Sequence, residues 1–172
     1  MGSNLAMHSS AVLPSPVGAL RVEADERAIT KIWFHASEPL TVPSTPLLAE
    51  LARQLAEYFL GERRQFDLPI APSGTAFQCE VWHALEEIPY GATWSYAELA
   101  RHIGRPSAVR AVGAANGQNP IPIVIPCHRV IGSNGSLTGF GGGLGVKQQL
   151  LALEGVRTPL LPFAHAKIRR LS

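Results

Sequence analysis

The sequence predicts an α/β protein of the α+β kind, with a small antiparallel sheet and one helix in its first half and a mostly helical second half. Short apolar runs separated by turn residues fill the first 35 positions, a pattern typical of an antiparallel meander. Helical periodicity dominates after residue 77. With 46% hydrophobic and 16% charged residues, the 172-residue chain is long and apolar enough to bury a core.

The first half shows three strand patterns followed by one helix pattern. The strands are predicted at 11–13, 19–24 and 29–35. Leu48, Leu51 and Leu55 recur at helical spacing and predict a helix over 47–60, ended by Gly61. A proline-rich stretch follows and is the expected boundary between a domain of residues 1–76, which includes this linker, and a domain of residues 77–172.

The two cysteines, Cys79 and Cys127, exclude several classes of protein. They are too few for a disulfide framework and lack metal-binding spacing, so we expect a reducing, cytoplasmic setting and no metal. No signal-peptide pattern and no run of eighteen apolar residues is present, so neither secretion nor membrane insertion is expected.

Charge is distributed unevenly along the chain. Residues 1–76 hold six Lys or Arg against eight Asp or Glu, a net charge of −2, whereas residues 77–172 hold nine against five, a net charge of +4. Clustered cations release counterions from a phosphate backbone, which suits the second half to a polyanion. A solvated basic face explains the same charge equally well. The basic tail after residue 156 is expected to lie near the anion.

Two short helices in the basic half resemble a helix-turn-helix. Ser95 and Glu98 form a capping-box pattern that opens the first helix, which Gly104 ends. Ser107 is expected to cap the second helix, over 108–115. Helical hairpins are common, so this pattern by itself leaves DNA binding open. Further helices are predicted over 77–88 and 144–153.

The predicted helix over 108–115 is built from small side chains, among them Ala111, Gly113 and Ala114, with one arginine, Arg110. Small side chains reach few base edges but allow close approach of the backbone. This composition suggests minor-groove binding, with Arg110 as a wedge or as a substitute for an extruded base. A buried helix with one solvated arginine fits the composition equally well.

An apolar run over 121–131 carries Cys127 and His128 side by side. Its prolines disfavour a helix, so an extended and buried segment is predicted. A thiol is only a few per cent ionised at neutral pH, so a nucleophilic Cys127 needs a base. Neighbours in a strand point to opposite faces, which favours a water relay to His128. A packing role for the pair is the alternative.

Glu154 lies at the end of the predicted helix 144–153, where the helix dipole disfavours a carboxylate by roughly 0.3–1 kcal/mol. A cationic or hydrogen-bonding partner is therefore expected, and His128 is the candidate. An exposed glutamate at a frayed end is the alternative. The glycine-rich run at 139–143 does not match dinucleotide or P-loop spacing and favours close approach of a backbone amide to a ligand.

The segment 119–131 reads Asn-Pro-Ile-Pro-Ile-Val-Ile-Pro-Cys-His-Arg-Val-Ile. With it the chain resembles the O6-alkylguanine-DNA alkyltransferases, also called methylated-DNA--protein-cysteine methyltransferases, and the likeness extends over residues 77–156. The resemblance implies a ribonuclease H-like sheet domain followed by a helix-turn-helix domain. It also implies single-turnover repair, without a cofactor, of O6-alkylguanine in double-stranded DNA, with O4-alkylthymine as a second candidate lesion. We expect a monomer and leave open whether copies bind DNA cooperatively.

The resemblance assigns reaction chemistry to four residues. Cys127 would accept the alkyl group, and His128 would act as its water-mediated base. Glu154 would orient His128, and Asn119 would stabilise the turn that presents the cysteine.

The resemblance assigns DNA and substrate contacts to a second group. Tyr96 would assist extrusion and hydrogen-bond the base, and Arg110 would replace the flipped guanine in the duplex. Backbone groups of Cys127 and Val130 would bind the exocyclic amine, and the amide of Gly141 would face O6. The remaining candidate DNA contacts are Ser95, Ala111, Gly113 and Ala114.

Two departures from the family pattern affect the prediction. The first 76 residues contain no cysteine, so the structural zinc of some members is not expected. Gly141 and Gly142 stand where other members carry larger residues, and their small size is predicted to enlarge the alkyl pocket. The competing functions are a lesion-binding protein without catalysis, a helix-turn-helix regulator, and a cysteine hydrolase using Cys127 and His128.

Overall fold

The computed structural model describes residues 7–158, and predictions for the two ends of the chain lie outside this range. Its first part is an antiparallel sheet in the order β1-β2-β3. The strands are β1 (Ser9–Leu13), β2 (Leu20–Ala24) and β3 (Ile29–Trp33). Helix α1 (Pro46–Phe59) packs on this sheet, and the side chain of Thr45 caps it by accepting from the Leu48 amide. The predicted strands and helix are confirmed, with ends shifted by one or two residues.

Buried and partly exposed residues alternate along β2, which gives the sheet one face that packs on α1. Leu20, Val22 and Ala24 are fully buried, while the residues between them are partly exposed. An antiparallel strand with one buried face shows this period of two. The buried stripe of α1 ends in Tyr58, whose side chain is inaccessible to solvent. Tyr58 therefore packs in the core that α1 shares with the second half of the chain.

Up to residue 158, the second part contains four α-helices, and a longer connection over residues 118–143 separates the last two. They are α2 (Ala76–Leu85), α3 (Tyr96–His102), α4 (Val109–Gly117) and α5 (Leu144–Leu153). Strands β4 (Trp94–Ser95) and β5 (Val130–Ile131) pair in parallel. The Ser95–Glu98 capping box is confirmed. The predicted cap at Ser107 is wrong, because Ala108 precedes α4 and makes no side-chain capping bond.

Helix α2 ends earlier than predicted. The amides of Glu86, Glu87 and Ile88 each bond to the carbonyl three residues back instead of four. Pro89 follows and lacks the N–H needed to continue the helix, so the last turn tightens before the turn at Gly91.

The prediction of an extended segment over 121–131 is wrong. The amide of Ile125 donates to the Ile121 carbonyl at 2.9 Å, and Ile123 has a φ of +73°, so the chain reverses there. A 3₁₀ turn (Cys127–Arg129) follows, and only β5 is a strand. Proline disfavours the interior of a helix but is compatible with the start of a helical turn, where its missing N–H is not needed.

The buried apolar residues of both parts form one continuous cluster. It includes Leu20, Leu51, Tyr58, Trp82, Leu99, Ile123, Cys127 and Val130. The candidate nucleophile is thus part of the core that joins the sheet, α1 and the helices of the second part. Within residues 7–158, no helix is both long and apolar enough to cross a membrane.

Candidate active site

Cys127 is the first residue of the 3₁₀ turn and is only 4% exposed. Its amide donates to the Ile125 carbonyl at 2.8 Å. Burial raises the pKa of the Cys127 thiol to about 11, although Asn119 and the charge of Lys147 act in the opposite direction. The thiol is therefore protonated at neutral pH and requires a base to react.

Asn119 holds the reversal that leads to the cysteine. Its Nδ2 donates to the Ile125 carbonyl at 2.8 Å, and its Oδ1 accepts from the Ile121 amide at 3.0 Å. One side chain thus bridges the two ends of the turn that contains the positive φ of Ile123. The strained backbone is stabilised next to the thiol, where such strain is often found in functional sites.

The predicted contact between His128 and Glu154 is present. His128 Nε2 lies 2.6 Å from Glu154 Oε2, and both side chains are inaccessible to solvent. A carboxylate can only accept, so Nε2 carries the proton and Nδ1 is left as an acceptor. Burial lowers the pKa of His128, which makes the resting imidazole neutral. Nδ1 is buried and has no hydrogen-bond partner among the described residues.

Glu154 is the centre of a larger hydrogen-bond cluster. Arg129 Nε donates to Oε1 at 2.7 Å, and an Arg129 terminal nitrogen donates to Oε2 at 3.2 Å. The Tyr58 hydroxyl donates to Oε2 at 2.6 Å. Burial would raise the pKa of Glu154, but the hydrogen bonds from His128 and Arg129 and the charge of Arg129 outweigh it and lower the pKa to about 2.

Sequence reasoning missed Arg129 and Tyr58 as parts of this site. Arg129 directly follows the Cys-His pair, and a buried arginine beside a helix-terminal carboxylate was a pairing that charge alone could have suggested. Tyr58 gave no such signal, since its position in the apolar stripe of α1 is that of an ordinary core residue.

Lys147 was also missed. Its side chain is buried, and Nζ donates to the carbonyls of Val130 at 2.6 Å and Thr138 at 2.9 Å. Burial lowers the pKa of Lys147 to about 8, and the nearby Cys127 acts in the opposite direction. Lys147 therefore ties α5 to β5 and to the loop before the glycine run. It occupies one acceptor site of the Val130 carbonyl.

Two cavities meet at the glycine-rich loop. One, of about 430 Å³, is lined by Tyr96, Gly113 and Thr138 and lies between α3, α4 and the loop. The other, of about 410 Å³, includes Cys127 in its lining. Phe140 and Gly141 line both. The Tyr96 hydroxyl donates to the Thr138 carbonyl at 3.1 Å, so this ring is already fixed beside the first cavity.

Helix α4 presents the small residues of the sequence pattern to solvent. Arg110, Ala111 and Ala114 are exposed, while Val112 on the opposite side is fully buried. A Cβ on Gly113 would lie 3.7 Å from the Tyr96 ring, so this glycine packs against the candidate base contact. The helix thus buries one side in the core and leaves a flat face around Arg110.

The Ser95 hydroxyl accepts from the Glu98 amide at the start of α3.

The prediction that the small size of Gly142 enlarges the alkyl pocket is wrong. A Cβ on Gly142 would lie 2.9 Å from ring atoms of Phe34 and 3.0 Å from Phe140, so glycine is required for packing and leaves no additional space. The Gly142 carbonyl also lies 2.7 Å from His35 Nε2. At Gly141 a Cβ would meet nothing within 4 Å, so the space predicted there is present.

Both parts of the chain match models of one family. The model described as "6-O-methylguanine DNA methyltransferase, ribonuclease-like domain" matches residues 10–72. The model described as "6-O-methylguanine DNA methyltransferase, DNA binding domain" matches residues 76–156. A methylated-DNA--protein-cysteine methyltransferase of Methanosarcina acetivorans is 48% identical over 151 residues, which cover 84% of this chain and 97% of that protein.

Other relatives agree in sequence and in fold. The constitutive methylated-DNA--protein-cysteine methyltransferase of Bacillus subtilis is 46% identical over 150 residues, covering 81% of this chain and 91% of that protein. The solved structure of Mycobacterium tuberculosis OGT in complex with DNA aligns with a TM-score of 0.78 at 45% identity, covering 87% of this chain and 94% of that one. The chain therefore belongs to the 6-O-methylguanine DNA methyltransferase family.

Proposed function

We propose that this protein repairs DNA by moving an alkyl group from O6 of guanine to Sγ of Cys127, once per molecule. The observation that carries the proposal is the buried Cys127 next to the His128–Glu154 pair, in a wall of a cavity that continues past Phe140 toward α3 and α4. The names of the relatives, methylated-DNA--protein-cysteine methyltransferases, support it.

The proposed reaction begins with proton transfer. The unpartnered Nδ1 of His128 accepts the Cys127 proton through a bridging water, while Glu154 retains the proton on Nε2 and stabilises the imidazolium. The thiolate attacks the alkyl carbon, the S–C bond forms and the C–O6 bond breaks. The Gly141 amide faces the developing charge on O6, and the Val130 carbonyl binds the exocyclic amine. The thioether is stable, so the protein is consumed.

The proposed DNA face is α4 with the start of α3. Ala111, Gly113 and Ala114 let the backbone approach the minor groove, with Ser95 contacting the backbone of the duplex. Arg110 fills the position of the extruded base, and Tyr96 contacts the base in the cavity of about 430 Å³. We assign residues 1–76 to a supporting domain and 77–172 to the domain that binds DNA and accepts the alkyl group. The free thiols of Cys79 and Cys127 support action in a reducing cytoplasm.

The experiment that tests the proposal is intact-protein mass spectrometry after incubation with duplex DNA containing O6-methylguanine. We expect a single methyl group on Cys127 and loss of the lesion in equal amount. Cys127→Ser abolishes the transfer, whereas the matched change Cys79→Ser leaves it intact, because Cys79 lies on α2 outside the cavity lining. Repair of many lesions per protein molecule without an adduct would refute the proposal.

A further inference from the structure

Helix α1 reaches the candidate reaction site through one side chain. The Tyr58 hydroxyl lies 2.6 Å from Glu154 Oε2, although the two residues are 96 positions apart. Tyr58 is inaccessible to solvent. Its ring is packed against those of Phe59, Phe66 and Tyr90, at centroid distances of 5.3, 5.5 and 6.4 Å. The hydroxyl is therefore held in one place by contacts from three sides.

We propose that Tyr58 is a positioning residue for alkyl transfer, whose hydroxyl orients Glu154 and limits how strongly Glu154 attracts the proton of His128. The proposal rests on the function proposed above for Cys127. It gives the first part of the chain, which contributes none of the reacting atoms, a direct part in proton transfer.

The geometry around the carboxylate shows which of its oxygens Tyr58 holds. Oε2 accepts from both Tyr58 and His128 at 2.6 Å, whereas its contact with Arg129 is longer, at 3.2 Å. Oε1 is held by Arg129 Nε at 2.7 Å, with the Gly91 amide at 3.5 Å. The oxygen that meets the imidazole is thus oriented on its other side chiefly by the tyrosine. The Tyr58 hydroxyl therefore shares with the imidazole the oxygen that faces the Nε2 proton.

The charges around the His128–Glu154 pair determine how strongly the carboxylate attracts the imidazole proton. The groups facing the pair are Tyr58 from α1, Arg129 from the 3₁₀ turn and Lys147 from α5, with the Tyr90 hydroxyl directed instead to the Leu153 carbonyl. Burial and the charge of Glu154 raise the pKa of Tyr58, so it remains a donor at every pH at which the protein is folded. A donated hydrogen bond stabilises the carboxylate charge and weakens its hold on an imidazolium.

The consequence appears when His128 takes the thiol proton. The imidazolium then carries protons on both nitrogens, and Glu154 could remove the one on Nε2. Donors on Oε2 make Glu154 a poorer base, so the proton stays on His128 and the pair remains charged. Removing the Tyr58 hydroxyl strengthens the attraction between carboxylate and imidazolium and raises the pKa of His128. The rate then reaches its plateau only at higher pH, since the reaction needs neutral His128.

The test is the pH dependence of the single-turnover rate of alkyl transfer from O6-methylguanine duplex DNA. For Tyr58→Phe we expect a rate about tenfold lower at neutral pH, the loss typical of one hydrogen bond to a charged group. We also expect the acidic limb of the profile to move to higher pH. The matched control is Tyr90→Phe, which removes a hydroxyl from the same aromatic cluster and should leave the acidic limb in place.

A fluorinated tyrosine at position 58 extends the test with a side chain of nearly the same size. Its hydroxyl is a stronger donor, so the acidic limb should move to lower pH, and folding is preserved if Tyr58→Phe proves unstable. A Tyr58→Phe profile with an unmoved acidic limb, whether the rate is unchanged or uniformly lower, would overturn the proposal. Failure of the unaltered protein to form a methyl adduct would instead reject the function proposed for Cys127.

Discussion

At the scale of single residues, Glu154 holds together the charged groups beneath Cys127. Four different residues contact its carboxylate in a space closed to water. A buried ion pair adds little stability relative to a well-packed apolar pair, yet removing one partner leaves the other charge buried without compensation. Arg129 would be that uncompensated charge, with the Ile88 carbonyl at 2.7 Å as its remaining acceptor.

Glu154→Gln is therefore expected to be strongly destabilising. The free energy of unfolding should fall by about 3 kcal/mol, measured by urea denaturation at neutral pH. Glu50→Gln is the matched control, since Glu50 pairs with Arg53 on the exposed face of α1 and its loss should change stability far less. Equal losses in the two variants would show that the buried cluster does not stabilise the protein.

The candidate site could be predicted from the sequence in part. Cys127 and His128 are adjacent in the chain, and a carboxylate at an unfavourable helix end pointed to His128 as its partner. Tyr58 and Lys147 could not be predicted, because their contacts depend on how α1 and α5 pack on the 3₁₀ turn. An apolar stripe and an amphipathic line of residues look the same whether or not a side chain ends at a functional group.

At the scale of elements, the glycine-rich loop is clamped by the first part of the chain. The ring of Phe34 lies 5.4 Å from that of Phe140 and contacts Gly142 closely, and His35 bonds to the Gly142 carbonyl. His35 reaches this position with a φ of +55°, which turns the chain directly after β3. The loop that lines both cavities is therefore placed by residues more than a hundred positions earlier.

Gly142→Ala should disturb this contact. The added Cβ would overlap the Phe34 ring, and overpacking of this kind costs about 1–3 kcal/mol of unfolding free energy. Slower alkyl transfer should accompany the loss. Gly141→Ala is the control one residue away, where a Cβ meets nothing within 4 Å and the melting temperature should barely change. A Gly142→Ala protein as stable and as fast as Gly141→Ala would refute the clamp.

Arg110→Ala addresses the exposed face of α4. If Arg110 occupies the space of the extruded base, its loss should slow transfer from duplex DNA roughly tenfold or more, because extrusion costs a few kcal/mol. Transfer from the free base O6-benzylguanine should be unchanged, since no duplex is opened. The measurement compares the two rates for each protein. An equal slowing with both substrates would place Arg110 in the chemistry instead of in extrusion.

The segment 121–131 shows why some elements could not be predicted. Its prolines and apolar residues satisfied the rules for a buried strand, yet Asn119 closes a reversal by bonding across it and Ile123 adopts a positive φ. A β-branched residue in that conformation is disfavoured locally and persists only because surrounding contacts determine it. Local preference therefore predicted the wrong structure where tertiary contacts are strongest.

At the scale of the whole molecule, one core joins the sheet, α1 and the helices of the second part. We expect both parts to unfold in a single cooperative transition that is sensitive to acid. The folded state lowers the pKa of His128 from 6.5, so stability is lost as pH falls below 6.5 and the unfolded chain takes up that proton. It lowers the pKa of Glu154 from 4.5 to about 2, so a further loss follows between pH 4.5 and 2.

Thermal unfolding followed by calorimetry across this pH range measures both effects. The melting temperature should decline below pH 6.5 and more steeply below pH 4.5. In Glu154→Gln the additional decline below pH 4.5 should be much smaller, because the titrating carboxyl is gone. Two resolved transitions would show that the shared core does not couple the two parts.

The fold as a whole was more predictable than its functional details. Apolar residues alternate with polar ones in β2 and recur at helical spacing in α1. Both patterns can be read from the sequence, and both indicate an element with one buried face. The C-terminal end of α2 and the capping residue of α4 depended on turn geometry after Glu86 and before Val109, and there the predictions failed.

The depth of Cys127 has a consequence for how long the protein lasts before it is used. An acceptor that reacts once is wasted if peroxide or a small electrophile reaches it first, and oxidation beyond the sulfenic acid is irreversible. A thiol that is 4% exposed, with a pKa of about 11, presents almost no thiolate to such reagents. The resting thiol is thereby protected from such reagents before it meets its substrate.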